Sequence, residues 1–350
     1  MKARRPLLLP LAPVYGAVES LKRWMYRKGW LKQRRLPRPV ISVGSISAGG
    51  AGKTPMAILM AGMLKQRGYA VSILTRGYGR VSTLIERVEP YDDPRWHGDE
   101  PVLMAQKAGV PVFAGADRYR AGLLAEEEKT DAIAVHLLDD GFQHLKLARD
   151  IDVVLLTKED IEDHLLPAGN LREPFAALQD ADVIVLREDE AQELKEFVAR
   201  LGRRRQVTWV IRRRLALGEC GDVPLPREPL AFCGIARPDS FTRMLAREGY
   251  EPIETMVFPD HHAYGDEDVA RLVERARQVR ANGFVTTEKD AVKMDPLMRE
   301  HLAAAGPLIV ARLVVELADE KEVLSQLVAM AGGLDRRKRG GSADSLHVRK

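Results

Sequence analysis

The chain of 350 residues is short of the features that staple a protein or anchor it across a bilayer. It has two cysteines, 6% aromatic residues and no long apolar run. Cys220 and Cys233 are too few for a disulfide framework and lack metal-ligand spacing, so a reducing compartment is expected and both read as structural. A spanning helix needs about 20 consecutive apolar residues, so no segment is expected to cross a membrane. No small-residue cleavage site follows the apolar N-terminal stretch, which argues against a secretory leader. Internal repeats are also missing.

What remains is a globular balance of 45% hydrophobic and 30% charged residues, with length enough for two domains. The net charge of +4 is unevenly spread, with basic residues gathered at both ends and at positions 203–205 and 212–214. The N-terminus sets an apolar stretch before Lys22, Arg23, Arg27, Lys28, Lys32, Arg34 and Arg35, interleaved with Trp24, Tyr26 and Trp30. Two uses stand open for residues 1–36: an amphipathic helix in a membrane interface, or a helix packed on its own domain with a solvated basic face.

Short apolar runs at 40–43, 70–74, 110–114, 132–138, 152–156, 183–186 and 207–211 alternate with helical patterns at 54–67, 100–108, 119–128 and 188–201. That alternation predicts an α/β fold: a doubly wound, mostly parallel sheet over residues 37–214. A Gly- and Pro-containing stretch, 215–229, reads as a linker, and a second, smaller α/β lobe follows over 230–332. Residues 333–350 read as a disordered basic tail.

Between the first strand and the first helix lies "SVGSISAGGAGKTP", from Ser42 to Pro55. It is nearly a phosphate-binding P-loop, G-x-x-x-x-G-K-[ST], with Ser47 in the place of the first glycine. In such a loop backbone N–H groups and the helix N-terminus cradle phosphate. Ser47, Ala48, Gly49, Gly50, Ala51, Gly52, Lys53 and Thr54 are therefore the expected ATP-binding residues, Lys53 reaching the β- and γ-phosphates and Thr54 holding Mg²⁺. A carboxylate at the end of a buried strand should complete the metal site, and "AIAVHLLDDGFQH" supplies Asp139 and Asp140. Gln143 and His144 follow at the same rim. For transfer to an alcohol a base is needed: "HGDEP" offers Asp99, which could equally cap a helix, and "FPDHHAYGDED" offers Asp260, His261 and His262.

Eight stretches, "SVGSISAGGAGKTP", "GDEP", "DRYRAG", "DDGFQH", "LPAGNLREP", "AFCGIARPDSF", "FPDHHAY" and "TTEKDAVK", occur in the order seen in the tetraacyldisaccharide 4'-kinase (lipid A 4'-kinase) family, which the sequence resembles up to about Lys293. The resemblance implies transfer of the γ-phosphate of ATP to the 4'-hydroxyl of tetraacyldisaccharide 1-phosphate, giving lipid IVA in lipid A biosynthesis, with Mg²⁺. It implies a peripheral enzyme at the cytoplasmic face of the inner membrane, and so favours the membrane use of the N-terminus; a monomer is expected. It matches Asp99 to the proposed base and His261 to its partner, Asp139 and Asp140 to the metal-side pair, and Glu173 to a further acid near the metal. Asp117, Arg118, Gln143, His144 and Arg172 fall in motifs thought to face the substrate cleft. Many family members have Asn in place of Ser45 and Pro in place of Asn170; little effect is expected of Ser45.

Two rivals predict different behaviour. A P-loop switch NTPase regulating a partner protein would hydrolyse ATP without a lipid acceptor. A nucleic-acid-binding ATPase would need aromatic stacking among its arginines, and none is patterned there, so no nucleic-acid partner is expected.

Overall fold

The computed structural model describes residues 5–128, 130, 132–201, 206–218 and 225–344. Cys220, the arginines 203–205 and the middle of the expected linker lie outside the described residues. The chain is α/β, and its strands form one sheet of twelve. In chain order they are β1 Val40–Ser45, β2 Ala70–Thr75, β3 Glu86–Val88, β4 Val112–Ala114, β5 Ala134–Asp139 and β6 Ile151–Leu156, then β7 Val183–Arg187, β8 Val207–Leu217, β9 Leu230–Cys233, β10 Glu254–Val257, β11 Phe284–Thr287 and β12 Leu308–Leu317. Their order across the sheet is β10-β9-β11-β12-β8-β7-β6-β1-β5-β2-β4-β3.

Two parallel sets meet in the middle. Strands β8, β7, β6, β1, β5, β2 and β4 are mutually parallel, as are β12, β11, β9 and β10. The sets join where β12 runs antiparallel to β8, with Leu317 opposite Ile211 and Ala311 opposite Leu217. The strand expected to end at position 211 therefore continues to Leu217, through what read as the start of a linker. Arg212 pairs with Glu188 and Arg214 with Glu316, so this basic run is part of a strand with neutralised outer charges.

The central strands are apolar on both faces because helices cover both, as a parallel sheet requires. On one face Ile41 and Val43 pack with Met56, Met60 and Leu64 of the helix α2, Lys53–Gln66. On the other, Ile46, Val154 and Ile184 pack with Phe142 and Leu178. The edge strand β3 was not foreseen: three residues, two of them charged, carry no alternation to read. The final helix runs Glu320–Asp344, past the Gly332–Gly333 pair where order was expected to stop.

The N-terminal helix α1, Ala12–Arg27, is amphipathic in reverse. Ala12, Gly16 and Arg23 face the protein and are buried. Leu11, Val14, Val18 and Leu21 face outward and are each more than half exposed, with Leu7 before them and Trp24 and Trp30 after.

Candidate functional site

The Gly-rich loop leaves β1 at Ser45 and enters α2 at Lys53. Its three glycines take left-handed φ angles, 69° at Gly49, 66° at Gly50 and 97° at Gly52, a region side chains resist. Ser47 does not belong to this set, so the position that departs from the P-loop pattern needs no glycine. A Cβ on Gly50 would lie 2.5 Å from Cδ of Arg237, and one on Gly49 would lie 3.0 Å from Cβ of Ala236. The "GIAR" turn after β9 thus packs against the loop, bringing the second parallel set to the phosphate cradle. The loop is fastened from the other side too: Ala48 N–H donates to the Asn170 carbonyl at 3.0 Å.

Lys53 Nζ stands 3.5 Å from Asp140 Oδ1 and donates to Ser45 Oγ at 3.4 Å. Ser45 is therefore not neutral to the site, since its hydroxyl links Lys53 to the Ser47 carbonyl, to which it donates at 2.8 Å. Asp140 holds a left-handed φ of 49°, a conformation uncommon outside glycine and often found where a site over-determines the backbone. Both its oxygens accept from Arg172, at 2.9 and 2.7 Å. Burial alone would raise the Asp140 carboxyl, but Lys53 and Arg172 outweigh it and hold the group far below the usual carboxylate range.

Asp139 behaves oppositely. It is 2% exposed, receives one long bond from Thr75 Oγ1 at 3.3 Å, and its Oδ1 has no hydrogen-bond partner. Burial, with the charges of Glu100 and Asp140, pushes its carboxyl up to about 7. A buried oxygen without a hydrogen-bond partner at a strand's C-terminal end, close enough to Lys53 for that charge to act on it, fits a divalent cation.

The four residues expected at the metal do not gather into one cluster. Among the described residues no three His, Cys, Asp or Glu side chains converge as a ligand set. Asp140 accepts from Arg172, and Glu173, fully buried, accepts from Arg23 at Oε2, 2.8 Å away. Of the expected set, Asp139 Oδ1 and Glu173 Oε1 are the buried carboxylate oxygens left without a hydrogen-bond partner.

Asp99 is the first residue of the helix Asp99–Lys107 and is 7% exposed; Gly98, not Asp99, is the N-cap. His261 Nδ1 lies 3.0 Å from one Asp99 oxygen and 3.2 Å from the other, although the two residues are 162 positions apart. His261 also has a left-handed φ, 58°. Burial would push the Asp99 carboxyl up, but the His261 contact, with Lys289 and Lys293, brings it below its ordinary value. The hydrogen bond to Asp99 raises His261 above its ordinary value. Asp260 is 3.9 Å from His261 Nε2, while His262 turns to Asp268 at 2.8 Å.

Sequence reasoning passed over Lys289 in "TTEKDAVK", which pairs with Glu100 next to Asp99, while Glu288 pairs with Lys107 of the same helix. A run of alternating charge after a strand gives no hint of partners almost 190 residues away. The expected substrate residues divide in two. Arg118 is 6% exposed, donates from Nη1 to the Ala116 carbonyl at 3.1 Å, has an unpartnered Nε, and is lowered to about 10 by burial and then by the charge of Arg76. Gln143 donates to the Ser45 carbonyl at 2.9 Å, and His144 is lowered to about 4, chiefly by burial. Asp117 and Arg172 are spent inside the protein, Asp117 capping the helix Arg118–Glu126 and pairing with Arg34, Arg172 on Asp140.

A family model described as tetraacyldisaccharide-1-P 4'-kinase matches residues 4–331. The chain belongs to the tetraacyldisaccharide 4'-kinase family. It is 39% identical over 326 residues to a tetraacyldisaccharide 4'-kinase of Koribacter versatilis, covering 91% of this chain and 97% of the relative. The kinase of that name from Aquifex aeolicus is 38% identical over 302 residues, covering 83% and 90%. A crystal structure of an LpxK from Aquifex aeolicus in complex with ATP superposes with a TM-score of 0.73 at 35% identity, covering 93% of this chain and 99% of that one. The doubly wound α/β fold and the kinase class are thereby fixed for this member of the family.

Proposed function

We propose that the kinase transfers the γ-phosphate of ATP to the 4'-hydroxyl of tetraacyldisaccharide 1-phosphate, forming lipid IVA. The observation that carries this reading is the Asp99–His261 pair, assembled from the two parallel sets beside a phosphate cradle that both sets also build. The P-loop amides and Lys53 neutralise charge on the transferring group. Asp99 orients the acceptor hydroxyl and accepts its proton, and His261 stabilises the proton on the pair. Thr54 and Asp139 would hold Mg²⁺, which when bound would supply further neutralisation of phosphate charge. Arg118 faces the acceptor's anionic groups. Purified enzyme given ATP labelled at the γ-phosphate and tetraacyldisaccharide 1-phosphate should place label in a bisphosphorylated lipid. ATP consumed with the lipid unlabelled would favour the switch NTPase instead.

Asp139 makes the Mg²⁺ requirement pH-dependent. Its folded-state carboxyl is raised to about 7, so protons compete with the metal as pH falls through that value. The Mg²⁺ concentration giving half-maximal rate should rise as pH is lowered from 8 to 6, by about tenfold per pH unit once the carboxyl is protonated. Asp139→Asn should flatten that dependence while raising the requirement throughout; an unchanged slope would remove Asp139 from the metal.

Supporting a peripheral enzyme on the cytoplasmic face of the inner membrane is the outward apolar stripe of α1. No helix among the described residues is long and apolar enough to cross a membrane. An exposed apolar stripe flanked by Lys and Arg is the pattern of a helix lying in the interface, where burial and anionic lipid both contribute. Charging the stripe with Val14→Asp, Val18→Asp and Leu21→Asp together should reduce co-sedimentation with phosphatidylglycerol vesicles by about tenfold or more. The KM for ATP should not move.

A further inference from the structure

One residue of α1 has no part in the chemistry above. Arg23 is 4% exposed, and arginine is rarely so buried unless paired. Its Nε donates to Glu173 at 2.8 Å, Nη1 to Asp180 at 3.2 Å and Nη2 to the Phe142 carbonyl at 3.2 Å. The guanidinium also stands over the Phe142 ring, 4.2 Å from its centroid.

Those partners are neighbours of the site. Phe142 follows Asp140 by two residues, and Glu173 follows Arg172 by one. One guanidinium therefore fastens, from behind, both loops that meet in the Asp140–Arg172 ion pair. A second thread comes from the same helix, since the Tyr15 hydroxyl donates to the Arg172 carbonyl at 3.1 Å. The opposite side of this helix is the apolar stripe, and its inner side approaches so closely that a Cβ on Gly16 would lie 2.7 Å from Leu165. The outward apolar stripe and the Asp140–Arg172 pair are thus tied to two sides of one closely packed junction.

We propose that Arg23 is a positioning residue for phosphotransfer, fixing the register of the Asp140–Arg172 pair relative to the lipid-facing side of α1. The inference rests on the lipid-kinase reading above. Arginine is needed because three acceptors in different directions and a ring face must be met at once; a lysine ammonium offers one compact charge without the planar fork. Phosphoryl transfer depends on positioning, and a misplacement of about 1 Å made remotely costs on the order of 100-fold in rate.

The test compares wild type, R23K and R23M on tetraacyldisaccharide 1-phosphate in mixed micelles, with KM for ATP, melting temperature and binding to phosphatidylglycerol vesicles measured on each. In both variants kcat at saturating lipid should fall by about 10- to 100-fold, while KM for ATP stays within about twofold and vesicle binding is retained. R23M leaves Glu173 buried without its cation and so is the more prone to unfold; should it do so, R23K decides. R23K turning over within about threefold of wild type would overturn the proposal, as would a loss shared equally by ATP affinity or by vesicle binding. Wild-type enzyme leaving the lipid unlabelled would sink the lipid-kinase reading, and this one with it.

Discussion

Asp99→Asn should lower kcat by about 10²- to 10⁴-fold, the range typical of a lost general base, with KM for ATP within about threefold. His261→Ala should approach the same loss. The double variant should be little worse than either single one, because residues that act as a unit are not additive. The reason is the geometry: a carboxylate 7% exposed that meets an imidazole at 3.0 Å. Asp99 is a weak base while charged His261 holds its carboxyl low; with His261 neutral beside it, the pair can retain the hydroxyl proton. The sign of the pH dependence follows. His261 is raised, so the pair is protonated at low pH and becomes competent as pH climbs through a value above the imidazole's usual 6.5. The acidic limb of kcat/KM should therefore lie above that value in wild type and vanish from that position in His261→Ala. A limb that stays put, or near-wild-type turnover in both single variants, would remove the base assignment.

Lys53→Ala should reduce kcat/KM for ATP by about 10²- to 10³-fold, the loss associated with one preorganised charge on a developing anion. Lys53 is the first residue of α2, and its ammonium rests between Ser45 and Asp140. Its removal leaves Asp140 to Arg172 alone, so the ground state should fold normally while the transferring phosphate loses its closest cation. Lys53→Arg should restore little, since a planar fork does not replace a compact ammonium in a glycine-lined loop. Lipid phosphorylation within about tenfold of wild type in Lys53→Ala would show that the loop holds phosphate without it.

The sheet of the first part was readable because each parallel strand, buried on both faces, leaves an apolar run between turn residues. Gly49, Gly50, Gly52, Lys53 and the Asp139–Asp140 pair were readable for a different reason, since phosphate and metal chemistry admit few residue types. What escaped depended on distance along the chain. The extension of β8 to Leu217 is set by its antiparallel partner a hundred residues later, and nothing local distinguishes it from a linker. The pairing of Glu173 with Arg23, and of Arg172 with Asp140, was equally hidden: each residue type has several possible partners, and only the packing chooses. Ser45 was underrated because its hydroxyl matters through Lys53, eight residues on.

The antiparallel seam between β8 and β12 has a mechanical meaning. Seven backbone-paired positions cross it, so the two sets are parts of one twisted surface, not bodies on a tether. Any change in the inclination of one set against the other must flex that surface, and the hydrogen-bonded ladder resists like a leaf spring, so the sheet itself keeps His261 against Asp99 while an acceptor comes and goes.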